Sequence, residues 1–598
     1  MLEYTLSAEK NAWLTFQNRT ISSLYAQECS DFSTSGQNKG QECRNFDMFS
    51  KSNCFFTLTG TCCFMLILIW KVPVYGPTST AYNRPKFRDK SISVSSTEKT
   101  VTEALKSRNQ TVTEALISKN QTHKPETQNN YEGMIDVKNT VYRLKNPDIP
   151  VKVGDFFSLI IQTRDRFGRN CTRGGDFFYT TINSKTKTKS NNAAGKITDF
   201  KNGTYEVLFF AGWPGVIGIS IILVHPSEAV DFIEEIIWPM EKRIRWKGFF
   251  QRKRAEVTDC SFSKTTLLNK CNYSHPLALG ETAFYCDKPN VSSCDSLSWL
   301  KSDGSHVIGL FSKIYSSYQL PFMNVAYARL LGGIQLLKIS QEGNSTFMRN
   351  LTLPECKKDL SRPLNDGFWT NNVWTSLQCQ TKQWTKQEII KCMKGRHMVL
   401  MGDSTTRQWV EYLLPMLNID KSKNTSRPNT KHIRHHSDIL TLDYYFHPYA
   451  IGRRIQVYRD GAWEYEVLDN LNSSTCNYVI VVSPWAHYTQ WKKESLFVRL
   501  HLLRETLIRF MKRCPNSQVL MKTPHPRRHK DKLSLMYSSD RLLYDIYEQY
   551  YSMFWGLGIH MIDIWDMNQS YPKGNVIHMP GPVIYQELFL MFSHICKV

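Results

Sequence analysis

The apolar positions of this chain change their spacing several times, and each change marks a boundary. Residues 1–53 show no sustained period and read as a disordered cytosolic tail. Cys54 to Trp70 (CFFTLTGTCCFMLILIW) is mostly apolar and carries no charge, at the short end of what crosses a bilayer, so 54–75 is expected to be a signal anchor. Started at Met48 instead, the same run reads as a signal peptide, which keeps secretion open. Residues 76–133 are rich in Ser, Thr, Asn and Lys. They contain an 11-residue repeat, TVTEALKSRNQ (Thr100 to Gln110) and TVTEALISKNQ (Thr111 to Gln121), with few apolar residues, and suit a glycosylated stalk.

From Met134 short alternating segments rich in β-branched and aromatic residues begin: FFSLIIQTRD, DFFYTTIN, TYEVLFFA and VIGISIILVH, broken by Gly, Asn and Pro. They predict a β-sandwich over 134–240, with a turn at Asn202-Gly203. Residues 241–395 hold seven cysteines and no clear period, and are expected to be stapled loops wrapping a neighbouring domain. They open on KRIRWKGFFQRKR (Lys242 to Arg254), either a solvated basic linker or a docking surface for acidic glycans.

Over 396–598 continuous apolar runs alternate with amphipathic ones. HMVLMG (His397 to Gly402), YVIVVS (Tyr478 to Ser483), QVLMKT (Gln518 to Thr523) and HMIDIW (His560 to Trp565) predict buried strands. Thr405 to Leu414, Glu494 to Met511 and Arg541 to Tyr551 predict helices between them. The pattern is that of a parallel sheet covered on both faces, whose sites lie beyond the carboxyl ends of the strands.

Composition narrows the partners. The 598 residues include 75 Lys and Arg against 53 Asp and Glu, a net charge of +22 that favours polyanions. Of 16 cysteines, eleven follow residue 170 without the CxxC pairs of zinc sites; they read as disulfides with one left over, and no metal site is expected. Asn109, Asn120, Asn170, Asn202, Asn272, Asn290, Asn344, Asn350, Asn424, Asn472 and Asn568 each begin an Asn-x-Ser/Thr acceptor for N-glycosylation. Cysteines and sequons together place the C-terminal part in the secretory lumen, which removes nucleic acid and leaves acidic glycans as the use of the charge. The His-rich stretches HIRHH (His432 to His436) and HPRRHK (His525 to Lys530) match no metal spacing and read as basic loops facing an anionic substrate.

The candidate chemistry is at Gly402-Asp403-Ser404, where a strand passes directly into a helix. A serine there has its hydroxyl exposed beside the helix's free N–H groups, a geometry that stabilises an oxyanion, and equally one that serves only as an N-cap. The longer string MGDSTTRQWVEYL, with CQTKQW (Cys379 to Trp384) and IIKCMKGR (Ile389 to Arg396), resembles the PC-esterase domain of the neurexophilin and PC-esterase domain family. RDRFGRN, GGDFF, DFKNGTYEV, WPG and HPSEAV resemble that family's neurexophilin-type, filamin-like immunoglobulin module.

The resemblance implies an immunoglobulin-like sandwich followed by a three-layer α/β domain of the GDSL/SGNH-hydrolase type. It also implies O-acetyl chemistry on sialylated, mucin-type glycans in the Golgi or beyond, with no bound cofactor and acetyl-CoA as acyl donor. On this reading Ser404 is the nucleophile and an oxyanion N–H, His578 the general base, and His487 a polar donor or a core histidine. Two positions depart from the family. Its Asp-x-x-His reads Asn575-Val-Ile-His578, so the carboxylate that orients the imidazole is an amide, with Asp563 or Asp566 as substitutes; its Gly-x-His reads Trp485-Ala486-His487, with a bulky ring near the oxyanion. Two readings follow: an acetyltransferase or esterase, full-strength or weakened, and a lapsed descendant that binds glycan or protein.

Overall fold

A computed structural model describes residues 132–596, apart from 186–189, 240–244, 252–255, 264–268, 274, 276, 278–282, 303–325, 342–351, 420–431, 449–455, 458–460, 530–531 and 575. The expected tail, anchor and nearly all of the stalk, with Asn109, Asn120, Asn344, Asn350, Asn424 and Asn575, lie outside the described residues. Among the described residues no helix is long and apolar enough to cross a membrane.

The alternating segments form two sheets that share one core. One runs in the order Gly332–Gly333, Val141–Leu144, Phe156–Gln162, Thr204–Phe210, Lys196–Asp199. The other contains Gly215–His225, Phe177–Ser184, Asn192–Ala194, Gly367–Thr370 and Val373–Ser376. Period-two alternation sends Leu159, Ile161, Val207 and Phe209 of the first against Ile182, Ile219, Ile221 and Leu223 of the second. Gly203 turns with φ +80°, and a Cβ there would lie 2.1 Å from the Cys171 carbonyl.

The sandwich does not end at 240. Gly215–His225 is eleven residues long and leaves an edge that Ala328–Arg329 and Leu336–Ile339 cover by pairing, while Gly367–Thr370 joins Asn192–Ala194. Open edges invite pairing with any available strand, and chain beyond 325 supplies it.

Much of the Cys-rich lead-in is likewise a sheet rather than loops. Lys270–Asn272, Ala283–Asp287, Glu256–Ser263, Arg245–Phe250, Leu297–Ser302 and Gln456–Val457 lie in that order, and Cys260–Cys286 and Cys271–Cys294 staple it. The basic run is therefore no linker over its described part: Trp246 and Phe250 are buried, while Lys247 faces Asp259 at 2.6 Å. Trp246 packs edge-on against Phe262, whose ring meets Trp491 of the next domain at 5.3 Å.

In the C-terminal domain six strands are labelled in chain order: β1 (Arg396–Gly402), β2 (His432–His436), β3 (Leu440–Phe446), β4 (Tyr478–Ser483), β5 (Gln518–Lys522) and β6 (His560–Ile562). The sheet order is β2-β3-β1-β4-β5-β6, parallel except for the β2–β3 hairpin. Four helices cover it: α1 (Ser404–Met416), α2 (Lys493–Arg513), α3 (Asp540–Phe554) and α4 (Gly581–Ile595). Met398 and Leu400 of β1 face Trp409, Leu413, Leu588 and Met591 of α1 and α4. Val399 and Met401 face the other way, toward Leu500, Leu503, Ile546 and Tyr550 of α2 and α3. Burial of both sheet faces makes three layers.

HIRHH is thus the edge strand β2 and not a loop: its residues alternate, with Ile433 and His435 inward. His432 and His397 both bind Asp443 at 2.5 Å, which holds that carboxyl below its ordinary range against the opposing effect of burial.

The domains are joined by buried polar contacts. Lys196 of the sandwich lies 3.0 Å from Asp366 and 3.2 Å from Asp566, Trp369 donates to the Met567 carbonyl, and the Ser539 hydroxyl, N-cap of α3, meets His225 at 2.8 Å.

Among the described residues five disulfides form, as the scattered cysteines suggested, and Cys171 is buried and in no disulfide. Cys392–Cys596 closes a separation of 204 residues and ties the helix Lys386–Met393 to the end of α4. Replacing both cysteines by Ser is expected to cost the C-terminal domain about 2–5 kcal/mol, seen as an earlier urea transition of the full chain by tryptophan fluorescence.

Candidate active site

The site begins with a close approach. β1 is in register with β3 on one side and β4 on the other, Gly402 opposite Phe446 and Ser483. A Cβ at Gly402 would stand 2.6 Å from the Ser483 carbonyl and 2.4 Å from Thr406 Oγ1, so only glycine lets α1 start against β4. The chain then passes through Asp403, the extended N-cap, into α1. Thr405, Thr406, Trp409, Val410, Leu413 and Leu414 face inward at helical spacing, which leaves Ser404 on the outward stripe.

Asp403 is fully buried, and its carboxylate accepts four bonds: from Thr405 N–H (2.8 Å), Thr405 Oγ1 (2.8 Å), Trp485 N–H (3.2 Å) and Ala486 N–H (2.7 Å). The Tyr444 hydroxyl donates to its main-chain carbonyl at 2.9 Å. Burial alone would raise the Asp403 pKa; His487 and His447 nearby, with these donors, hold it below the usual carboxylate value. The motif aspartate is therefore the anion that locks the end of β1 to the turn after β4.

Ser404 Oγ lies 2.7 Å from His578 Nε2. For the hydroxyl to donate, Nε2 must be unprotonated and the ring proton on Nδ1. His578 stands at the exposed rim between α4 and the preceding helix Trp565–Gln569, and partial burial, then the charge of Arg407, hold its pKa below the ordinary imidazole value. No turn or capping bond uses the N–H of Ser404, which leaves it available to an oxyanion. A serine hydroxyl, an imidazole within proton-transfer reach and a helix N-terminus are the components of acyl transfer.

The other expected residues fall differently. Trp485 is fully buried with its ring edge-on to His525 at 4.8 Å, so the bulk lies in the core; its N–H and that of Ala486 serve Asp403 and are not oxyanion donors. His487 is partly exposed, its ring 5.1 Å from His447, and burial lowers its pKa to about 4, so it is neutral at physiological pH. Asp563 and Asp566 are not substitutes for the missing carboxylate. Asp563 accepts from Tyr547 and Tyr551, and Asp566 pairs with Lys196. Among the described residues His578 Nδ1 has no hydrogen-bond partner.

Sequence reasoning missed His447, Lys522 and Glu587. His447, 1% exposed, directly follows β3, donates from Nδ1 to the Pro448 carbonyl and leaves Nε2 without a partner. Leu440, Leu442, Tyr444 and Phe446 at period two are the partial signal of this strand, blurred by Asp443 and Tyr445. Lys522 and Glu587 are buried beneath α1, 3.6 Å apart; Lys522 donates to the Thr405 carbonyl, and Glu587 accepts from Trp409 and Asn568. Cys356, Cys379 and His594 also come together, but the two cysteines are joined as a disulfide. In HPRRHK, His525 and His529 are buried, so that stretch is no free basic loop.

This three-layer α/β domain, with a serine at the end of its first parallel strand facing a histidine near the C-terminus, is esterase-like in construction. Residues 374–596 match the family model for the NXPE family member 4-like C-terminal domain, and residues 106–327 match the one for neurexophilin. The chain belongs to the NXPE family, in which a neurexophilin module precedes a PC-esterase-type domain. Solved structures similar to it include a GDSL-like lipase from Parabacteroides merdae, 10% identical, covering 33% of this chain and 95% of that one at a TM-score of 0.19. Axe2, an acetylxylan esterase from Geobacillus stearothermophilus, is 12% identical, with 34% and 96% covered at 0.20.

Asn568 is a correction to the glycosylation sites. It is fully buried, donating to the Ile564 carbonyl and to Glu587, whereas Asn170, Asn202, Asn272, Asn290 and Asn472 are exposed. Glycopeptide mapping of the protein from a secretory host is expected to find glycan at exposed sequons and none at Asn568.

Proposed function

We propose that this protein is a serine-dependent O-acyltransferase or esterase acting on glycan hydroxyls in the secretory pathway. The observation that carries the reading is the 2.7 Å contact of Ser404 Oγ with His578 Nε2 at the head of α1. Ser404 attacks the acyl carbonyl of a thioester such as acetyl-CoA, its proton passes to His578, and the thiolate leaves with that proton. A sugar hydroxyl then takes the acyl group by the reverse exchange through His578; water in its place gives hydrolysis.

Sialylated glycans are the acceptors this reading favours. The net charge of +22 and the family resemblance support them. Five disulfides and exposed sequons support a lumenal or secreted C-terminal part, with 54–75 as Golgi membrane anchor in the first case. The sandwich, read as a filamin- or immunoglobulin-like module, would space the site from the membrane.

A second reading, a lapsed enzyme that binds glycan or protein, is favoured by one observation: among the described residues no carboxylate meets His578 Nδ1 to stabilise an imidazolium. The two separate in an assay of full chain with labelled acetyl-CoA and a sialylated glycoprotein. Wild type is expected to transfer label and Ser404→Ala to fall to background; equal transfer overturns the enzyme reading. A protonated imidazole cannot accept the serine proton, so activity is expected to rise with pH to a plateau, its midpoint below the ordinary histidine value of about 6.5. In serine proteases the comparable loss of carboxylate costs about 10⁴-fold in turnover. Asn575→Asp is therefore expected to raise transfer at least about tenfold, measured as kcat.

A further inference from the structure

A carboxylate behind the imidazole is one way to hold a catalytic histidine; a fixed main chain is another. The outward stripe of α1 runs Ser404, Gln408, Tyr412, four residues apart and so nearly in line. The segment that carries His578 lies along the same stripe. His578 faces Ser404, the Met579 carbonyl accepts from Gln408 Nε2 at 3.1 Å, and a Cβ on Gly581 would stand 3.0 Å from the Tyr412 ring. Tyr412 is itself held edge-on by Tyr585 of α4, centroids 5.4 Å apart. The neighbours of His578 are anchored too: Met579, 1% exposed, enters the core beneath α1, and Ile577 packs on the core of the opposite sheet face.

We propose that Gln408 is the positioning residue of this site: its amide, backed by the Tyr412–Gly581 contact, sets the His578 ring against Ser404 through the main chain. The inference rests on the reading of Ser404 and His578 as a reactive pair. Among the described residues His578 has one side-chain bond, to Ser404 itself, so no described side chain holds its ring against rotation of the segment away from α1. The Gln408 amide is the side-chain donor that clasps the adjacent carbonyl, and it does so from the nucleophile's own helix, one turn on. Movement of α1 therefore carries serine and histidine together. Glycine at 581 lets the Tyr412 ring sit where a Cβ would press on it at 3.0 Å.

The test uses the full chain and an alkyl fluorophosphonate, which labels an activated serine whatever the natural substrate. The second-order rate of labelling at Ser404 is followed by mass spectrometry over pH 5–9, with melting temperature recorded for each variant. Gln408→Glu keeps the shape but puts an acceptor against the Met579 carbonyl; it and Gln408→Ala are expected to label at least tenfold more slowly. Their melting temperature should stay close to wild type, and the midpoint of the pH profile should move up toward the free imidazole value as the ring swings into solvent. Gln408→Arg restores an N–H donor of sufficient reach and is expected to recover most of the rate. Wild-type rate and pH midpoint in Gln408→Ala, with labelling abolished by Ser404→Ala, overturn the inference alone. Labelling of wild type at the level of Ser404→Ala overturns the reactive pair, and the inference with it.

Discussion

Everything at the site depends on one buried anion. Asp403 is without solvent contact, yet four donors reach its carboxylate, two from the first turn of α1 and two from the turn after β4. An unpaired charge there would be prohibitive, so the junction of β1 with α1 and the Trp485-Ala486 turn must both be in place whenever the domain is folded. Gly402 makes this possible by letting the strand ends touch, and Tyr444 clamps the main chain from β3. Ser404 inherits its position as the next residue along. The aspartate of the motif thus builds the platform and does no proton transfer of its own.

Beneath that platform a second buried set supports α1 from the core. Lys522 reaches the Thr405 carbonyl and Glu587, while Trp409 and Asn568 donate to Glu587. Burial lowers the Lys522 pKa, and the neighbouring carboxylate opposes that shift. These groups come from β5, α4 and the helix Trp565–Gln569, so the nucleophile's helix is braced by the end of the chain. That helix is braced in turn by the sandwich: Lys196 pairs with Asp566, and Gln569 donates to the Thr180 carbonyl. The sandwich is part of the scaffold that fixes the active domain as well as a module in front of it.

The sheet-and-helix alternation of the C-terminal domain was legible where strands are buried on both faces and α1, α2 and α3 on one; α4, buried nearly all round, leaves no such stripe and was not predicted. The GDS string was legible for the same reason, falling where one periodicity hands over to the other. The β2–β3 hairpin was not. HIRHH reads as a polar cluster because its outward histidines mask the strand, and only the structure shows His432, with His397 of β1, meeting Asp443 of the facing strand. The extra sandwich strands at 328–376 were hidden because two- to four-residue edge strands have too few positions to show a period, and only the open edge of Gly215–His225 selects them. Asn568 carries a valid sequon, and local sequence holds nothing to say that its amide is spent on Glu587.

Local spacing was enough to read the scattered cysteines as disulfides and to assign the faces of the central sheet, and the family resemblance singled out Ser404 and His578. What surrounds these two residues came only from the packing. Asp563 and Asp566 were nearby carboxylates in sequence but are engaged by tyrosines and a lysine, and the N–H groups of Trp485 and Ala486 are consumed by Asp403. What stands against the histidine segment instead is the outward stripe of its nucleophile's own helix. The reason is geometric: which donor meets which acceptor across 171 residues of chain depends on how two helices and a loop pack, and no periodicity along the sequence encodes that distance.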